Sequence, residues 1–198
     1  MKTVTDREVL NKIEQDYTPL STACKKDLSD HLAYSVIKKG EIVVNEGQFS
    51  DKAYFIVEGC SRAFYLKDGK DISDWFAFEN EFMASIVSFF QNEPSPHYIE
   101  FIEDSLVVEF SKSAIEKLSN KHHDFEKLIS KVVTKTMLGL RARLSSILFN
   151  NAEEKYNQML LIRPDITNRI PLTHIASYLG ITLETLSRIR KPQRTNLI

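Results

Sequence analysis

The feature that most constrains this chain is a change of period along its length. Gly40, Gly47, Gly59 and Gly69 separate short runs rich in Val, Ile, Phe and Tyr at 41–45, 53–58, 61–67 and 72–78, and two more such runs follow at 97–102 and 105–110. Short β-prone runs with regular glycine breaks predict the strands of a small barrel or sandwich. After Ser111 the apolar spacing turns helical, and residues 123–149, which lack Pro and hold only Gly139, predict one long amphipathic helix. The pattern predicts an α+β chain in three parts: a β-rich domain at 1–121, a long helix at 122–149 and an all-α domain at 150–198.

Ahead of the strands, residues 6–34 read as helical. Val9, Leu10 and Ile13 share a face, and Leu28, Leu32 and Ala33 continue the spacing beyond Thr18-Pro19-Leu20. Lys67-Asp68-Gly69-Lys70 predicts a tight hairpin, because Asp-Gly supplies the positive φ that a two-residue turn requires. From Phe82 to Pro96 the strand pattern lapses into an apolar short helix and a proline-containing loop, an insertion expected to cover a cavity in a barrel. The long helix carries two apolar stripes: Phe125, Leu128, Ile129 and Val132, then Val133, Met137, Leu140, Leu144 and Ile147. It is either a core helix between two layers of its own domain or a helix that packs on the barrel with one stripe and on a partner subunit with the other. Gly139 favours the second reading, since a missing side chain permits close helix approach.

Several classes are excluded. A composition of 42% hydrophobic and 27% charged residues is that of a folded globular chain. The N-terminal residues lack the apolar run of a signal peptide, and the longest apolar stretch, 82–90, is far short of the roughly 20 residues that span a bilayer, so a cytoplasmic protein is expected. Cys24 and Cys60 are far apart, with no CxxC and no companion His at zinc spacing, so they are read as packed thiols and neither metal nor cofactor is expected. His31, His97, His122, His123 and His174 form no HExxH-like pattern, and there is no GxSxG, P-loop or evident carboxylate pair. No catalytic residue is assigned, and an enzyme is not expected.

The chemistry-bearing stretch is 170–191. Pro171 suits a first helical turn, Ile175, Ala176 and Leu179 share the face of the helix it opens, Gly180 stops that helix, and Thr182 caps a second one with Leu186 and Ile189 inward. A small residue in the first helix, a glycine at the turn and a branched apolar residue in the second meet the demands of a helix-turn-helix. An ordinary αα-hairpin is the alternative. Against it stands the outer face: Thr182, Glu184, Thr185, Ser187, Arg188, Arg190 and Lys191 offer phosphate and base-edge chemistry. Arg188 can fork onto guanine, Glu184 can accept from cytosine, and Thr182 can add a phosphate contact at the helix start. Glu184 and Arg188, at i and i+4, can also pair with each other when DNA is absent. From Leu160 onward six basic residues face two acidic ones, a net +4 that leaves −5 on the remainder.

The order of parts resembles the Crp/Fnr family of bacterial transcription factors over nearly the whole chain. The carriers are Lys39-Gly40-Glu41-Ile42, Glu46-Gly47, Tyr54-Phe55-Ile56-Val57-Glu58-Gly59, Asp68-Gly69-Lys70, Glu81-Phe82 and Ile175 through Arg188. The resemblance implies a cyclic-nucleotide-binding-like double-stranded β-roll, a dimerisation helix and a helix-turn-helix whose second helix enters the major groove. It further implies a homodimer through 122–149 on an inverted repeat of double-stranded DNA, with RNA polymerase a candidate partner. Two departures stand out. Ala84-Ser85 and Ser95-Pro96 fall where the family's cyclic-nucleotide binders carry Gly-Glu and Arg-Ser, which removes the ribose acceptor and the phosphate cation and argues against cyclic AMP. The effector pocket, expected around Phe82, Ala84, Ser85, Ile86, Ser95 and His97, then takes a less charged small molecule or is filled by Phe89, Phe90 and their neighbours; a lone histidine near an apolar strand, such as His97, is more often a satisfied core residue than a ligand contact. After Lys191-Pro192 the family's β-wing is not evident. The competing function is a ligand-sensing or adaptor protein of the same fold without DNA binding.

Overall fold

The computed structural model describes residues 4–190. Helix α1 (Asp6–Asp16) starts at a capping box in which the Thr5 side chain accepts from Glu8 N–H and the Glu8 carboxylate accepts from Thr5 N–H. Helix α2 (Thr22–Ser29) is capped by Ser21. The helical reading of 6–34 then fails at its end, because Ala33–Ile37 is strand β1, paired antiparallel with residues 105–109. Tertiary pairing overrides the local spacing there.

The strands that follow are β2 (Ile42–Val44), β3 (Lys52–Glu58), β4 (Ser61–Lys67), β5 (Lys70–Ala77), β6 (Phe82–Ala84), β7 (Tyr98–Phe101) and β8 (Ser105–Ser111). They form two antiparallel four-stranded sheets, ordered β1-β8-β3-β6 and β2-β7-β4-β5. Asp68 and Gly69 take φ of 52° and 71° at the β4–β5 turn, as the Asp-Gly pair predicts. The expected short helix at Phe82 is instead β6, followed by a single π-helical turn, Val87–Gln91.

Strand alternation divides the packing. Tyr54, Ile56, Met83, Phe101 and Val107 fill the space between the sheets. Phe55, Val57, Val108 and Phe110 point the other way, onto α1, α2, α3 (Lys112–Lys121) and the start of α4 (His123–Phe149). The first apolar stripe of α4 goes where one reading of the sequence placed it: Phe125 and Leu128 are buried in this core, with Ile129 and Val132 packed against it. The second stripe remains uncovered, for Val133, Met137, Leu140, Leu144 and Ile147 are all exposed. Gly139 does not face that way. A Cβ there would lie 2.7 Å from the Trp75 indole, so the glycine accommodates the chain's own β5 rather than a second helix.

Helices α5 (Ala152–Ile162), α6 (Ile166–Arg169), α7 (Leu172–Leu179) and α8 (Leu183–Ile189) complete the chain. Their core, Tyr156, Met159, Ile166, Ile175 and Leu186, is continuous with Cys60, Phe76, Phe78 and Ile102 of the roll. Among the described residues no helix is long and apolar enough to cross a membrane.

Candidate nucleic-acid interface

Helix α7 ends at Gly180, whose φ of +66° gives the left-handed turn a side-chain-bearing residue would resist. Its N–H bonds back to Ala176 and Ser177 carbonyls. Thr182 then caps α8, its hydroxyl accepting from Thr185 N–H at 3.2 Å and donating to the Thr185 hydroxyl at 3.1 Å. Ala176 and Leu186 are buried where the two helices touch. With Leu186 pinned inward, the helical period turns Glu184, Ser187 and Arg188 outward, where they share a shallow concave surface with Leu183.

Leu183 was missed by the sequence reading. It is 42% exposed, and an apolar side chain beside Arg188 is chemistry suited to a thymine methyl. The Thr182 hydroxyl lies within hydrogen-bond reach of both the Thr185 hydroxyl and the Glu184 carboxylate, and its single proton serves one of them at a time. Arg190 is exposed at the end of α8, and Lys191 lies outside the described residues, as does any wing. Glu184 and Arg188 form no ion pair among the described residues. Glu184 is turned to the helix start, where its own backbone N–H and the Thr182 hydroxyl hold its carboxyl below the usual range.

Helices α7 and α8 are not free of the roll. Ser177 Oγ donates to the Asp71 carbonyl and accepts from Ser73 N–H, both at 2.9 Å, which covers part of the open edge of β5. Tyr178 packs on Phe76, and Arg143 of α4 lies over the Tyr178 ring while donating to its carbonyl at 2.8 Å. Arg169 grips Glu79 and Glu103, two contacts to each between 2.7 and 3.0 Å, and donates to the Gly59 carbonyl at 3.1 Å. Burial alone would raise the Glu79 carboxyl, but the bonds from Arg169 and from backbone N–H groups carry it below its ordinary value. Arg62, 3% exposed, is bound bidentately by Asp71, by Glu100 and by the Ser73 hydroxyl.

The residues assigned to an effector pocket divide. Ser85, Ser95 and His97 are buried together: Ser85 Oγ donates to Ser95 Oγ at 2.8 Å, and Ser95 Oγ to the His97 carbonyl at 2.6 Å. Both ring nitrogens of His97 are buried without a hydrogen-bond partner among the described residues, and burial lowers its pKa, partly offset by Asp74. Phe82 and Ala84 do not join them. They flank inward-pointing Met83 and so face the helices, with Phe82 edge-on to Tyr17 and tilted against Phe55. Ile86 is exposed, Phe89 packs into the helix-side core, and Phe90 is exposed, so neither phenylalanine fills the space between the sheets.

Folding also gathers Cys24, His122 and Asp124, with ligand atoms within 4.8 Å of one another. Each is engaged. Asp124 accepts from Ser21 N–H, His122 contacts Asp27 at 2.7 Å, and burial, then Asp124, pushes the Cys24 thiol up to about 12. The trio ties α2 to the α3–α4 junction.

The two sheets and their helices have recognisable relatives. Residues 35–122 match the cyclic nucleotide-binding domain family. The whole arrangement is similar to solved structures that extend beyond that domain. FixK2 from Bradyrhizobium japonicum superposes with a TM-score of 0.68 at 20% identity over 80% of this chain and 82% of its own. A regulator assigned to the crp/fnr family from Eubacterium rectale gives 0.66 at 20% over 86% and 82%. The c-di-GMP-responsive global regulator CLP of Xanthomonas campestris gives 0.66 at 13% over 85% and 89%. At these identities the likeness is one of fold. No curated protein sequence matches the chain.

Proposed function

We propose that this chain is a sequence-specific DNA-binding transcriptional regulator of the Crp/Fnr type. It works in the cytoplasm as a homodimer and has no enzymatic activity. Residues 1–121 form its effector domain, 122–149 its dimerisation helix and 150–198 its helix-turn-helix domain. The observation that carries the reading is the outer face of α8, where Glu184, Ser187 and Arg188 stand exposed above a buried Ala176–Leu186 contact. Double-stranded DNA is the partner that this face, the backbone turn at Gly180 and the basic balance of the C-terminal segment suit together.

The effector domain of this regulator does not use cyclic AMP. The two positions where the resemblance expects a ribose acceptor and a phosphate cation hold Ser85 and Ser95, hydrogen-bonded to each other, and neither side chain supplies the positive charge that an anionic phosphate needs. The effector proposed for it is an uncharged small molecule that reaches the His97 nitrogens, which have no partner among the described residues.

Selection of genomic fragments at low and moderate salt tests the reading. The expected result is enrichment of an inverted repeat with half-sites about 34 Å apart. Replacement of Arg188 by Ala should weaken binding by about 1–3 kcal/mol and relax one base position. Absence of enrichment by the wild type would instead support an adaptor of the same fold.

A further inference from the structure

A cavity of about 300 Å³ lies where β5, α4, α5 and α7 meet. Its origin is legible in α4. The face that buries Phe125 and Leu128 and packs Val132 against the same core continues, at about 100° per residue, through Lys135, Gly139, Ala142 and Ser146. At three of these positions, Gly139, Ala142 and Ser146, small side chains stand where large apolar ones would close the gap. The opposite wall is apolar and largely aromatic: Trp75, Phe76, Phe78, Met159, Ile162 and Tyr178. Val133, Met137, Leu140 and Leu144 of the exposed stripe fall on the other side of α4, so a partner helix packed on them leaves the cavity open, while Ile147, the last residue of the stripe, lines the cavity itself.

Four cations and one carboxylate border this space. Two of the cations are committed, Arg143 to Tyr178 and Arg163 to Glu81 at 2.9 Å. Lys135 lies 4.8 Å from the Tyr17 ring centroid, and neither it nor Lys155 has a carboxylate partner among the described residues. Apolar walls with two ammonium groups that lack a carboxylate partner among the described residues complement a molecule that is apolar along its body and anionic at one end. The volume is at the small end of ligand sites, about 300–1,000 Å³.

We propose that this cavity binds a small amphipathic carboxylate, its hydrocarbon body against the aromatic wall and its carboxylate toward Lys135 and Lys155. Such a ligand touches the roll, the long helix and the C-terminal helices at once, so its affinity depends on how α7 sits on β5. The site is separate from the space around His97, and it stands whether or not the chain binds DNA.

Trp75 is the chain's single tryptophan and forms part of the wall, so its emission reports on the site directly. The full chain is titrated with decanoate, and with 1-decanol as the uncharged control. A saturable change with decanoate, and binding of decanol at least tenfold weaker, are expected. Joint replacement of Lys135 and Lys155 by Glu should weaken decanoate at least tenfold and leave decanol unchanged, while Ala142→Phe, which occupies the cavity, should abolish the response to both. No saturable change in the wild type, equal affinity for decanoate and decanol, or decanoate binding unaltered by the double Glu replacement or by Ala142→Phe would overturn the proposal. No DNA enters the measurement, so its failure and the failure of the regulator reading are distinguishable.

Discussion

The buried guanidinium of Arg62 in β4 meets His174 of α7 with 3.0 Å between Nη1 and Nδ1. The contact requires a neutral imidazole accepting from the arginine. Burial, then the Arg62 charge, lower the His174 pKa from its ordinary 6.5. The unfolded chain therefore takes up this proton at a higher pH than the folded chain does. The contribution to stability is fully present above about pH 6.5 and is lost as pH falls through the folded value. Thermal melts between about pH 7.5 and 5.5 should show a larger fall for the wild type than for His174→Gln, which keeps an acceptor and does not titrate. Parallel falls would show that the contact carries no pH dependence.

Arg169 is the cross-brace of the same interface. Its loss leaves Glu79 and Glu103 facing each other in a half-buried setting, so Arg169→Ala should cost about 1–3 kcal/mol in urea unfolding. Arg169→Lys should recover less than half of this, because an ammonium cannot engage two carboxylates side-on. Full recovery by Lys would mean that charge alone holds the brace.

Gly59 sits behind that brace. Its φ is +104°, and a Cβ would fall 2.0 Å from Ser105 Oγ and 2.9 Å from Ser105 Cα. The backbone atom cannot rotate away, so Gly59→Ala should lower stability by about 2–5 kcal/mol. Calorimetry checks this, and a melting temperature close to the wild type would contradict the geometry.

The uncovered stripe of α4 makes the dimer testable. Leu144, 52% exposed, lies far from the cavity face, so Leu144→Glu should leave the fold intact while placing like charges at the proposed two-fold contact. Sedimentation velocity should then show a monomer where the wild type sediments as a dimer. A wild type that is already monomeric at micromolar concentration would remove the basis for the inverted repeat.

Much of the fold was legible because it is written locally. The Asp68-Gly69 turn, the strand runs at 53–58 and 61–67, the span of α4 and the Gly180–Thr182 junction each follow from conformational preference or from period. Strands β1 and β6 were not legible. β6 has three residues, too few to show alternation, and its place is fixed by pairing of Phe82 with Phe55 and Ala84 with Ala53. That pairing also turned Phe82 and Ala84 out of the expected pocket. Gly139 was read as a site of close helix approach, but the group that approaches it is the Trp75 indole of β5, 64 positions earlier.

The sequence by itself therefore determined the strand and helix elements whose signals lie within a few residues, and the chemistry displayed on α8. Only the tertiary structure decided the Arg62–His174 contact, the Arg169 brace and the cavity beside Trp75. Each of these joins residues far apart in the chain through charge and volume, and a charged or small residue carries no local mark of the partner it will meet.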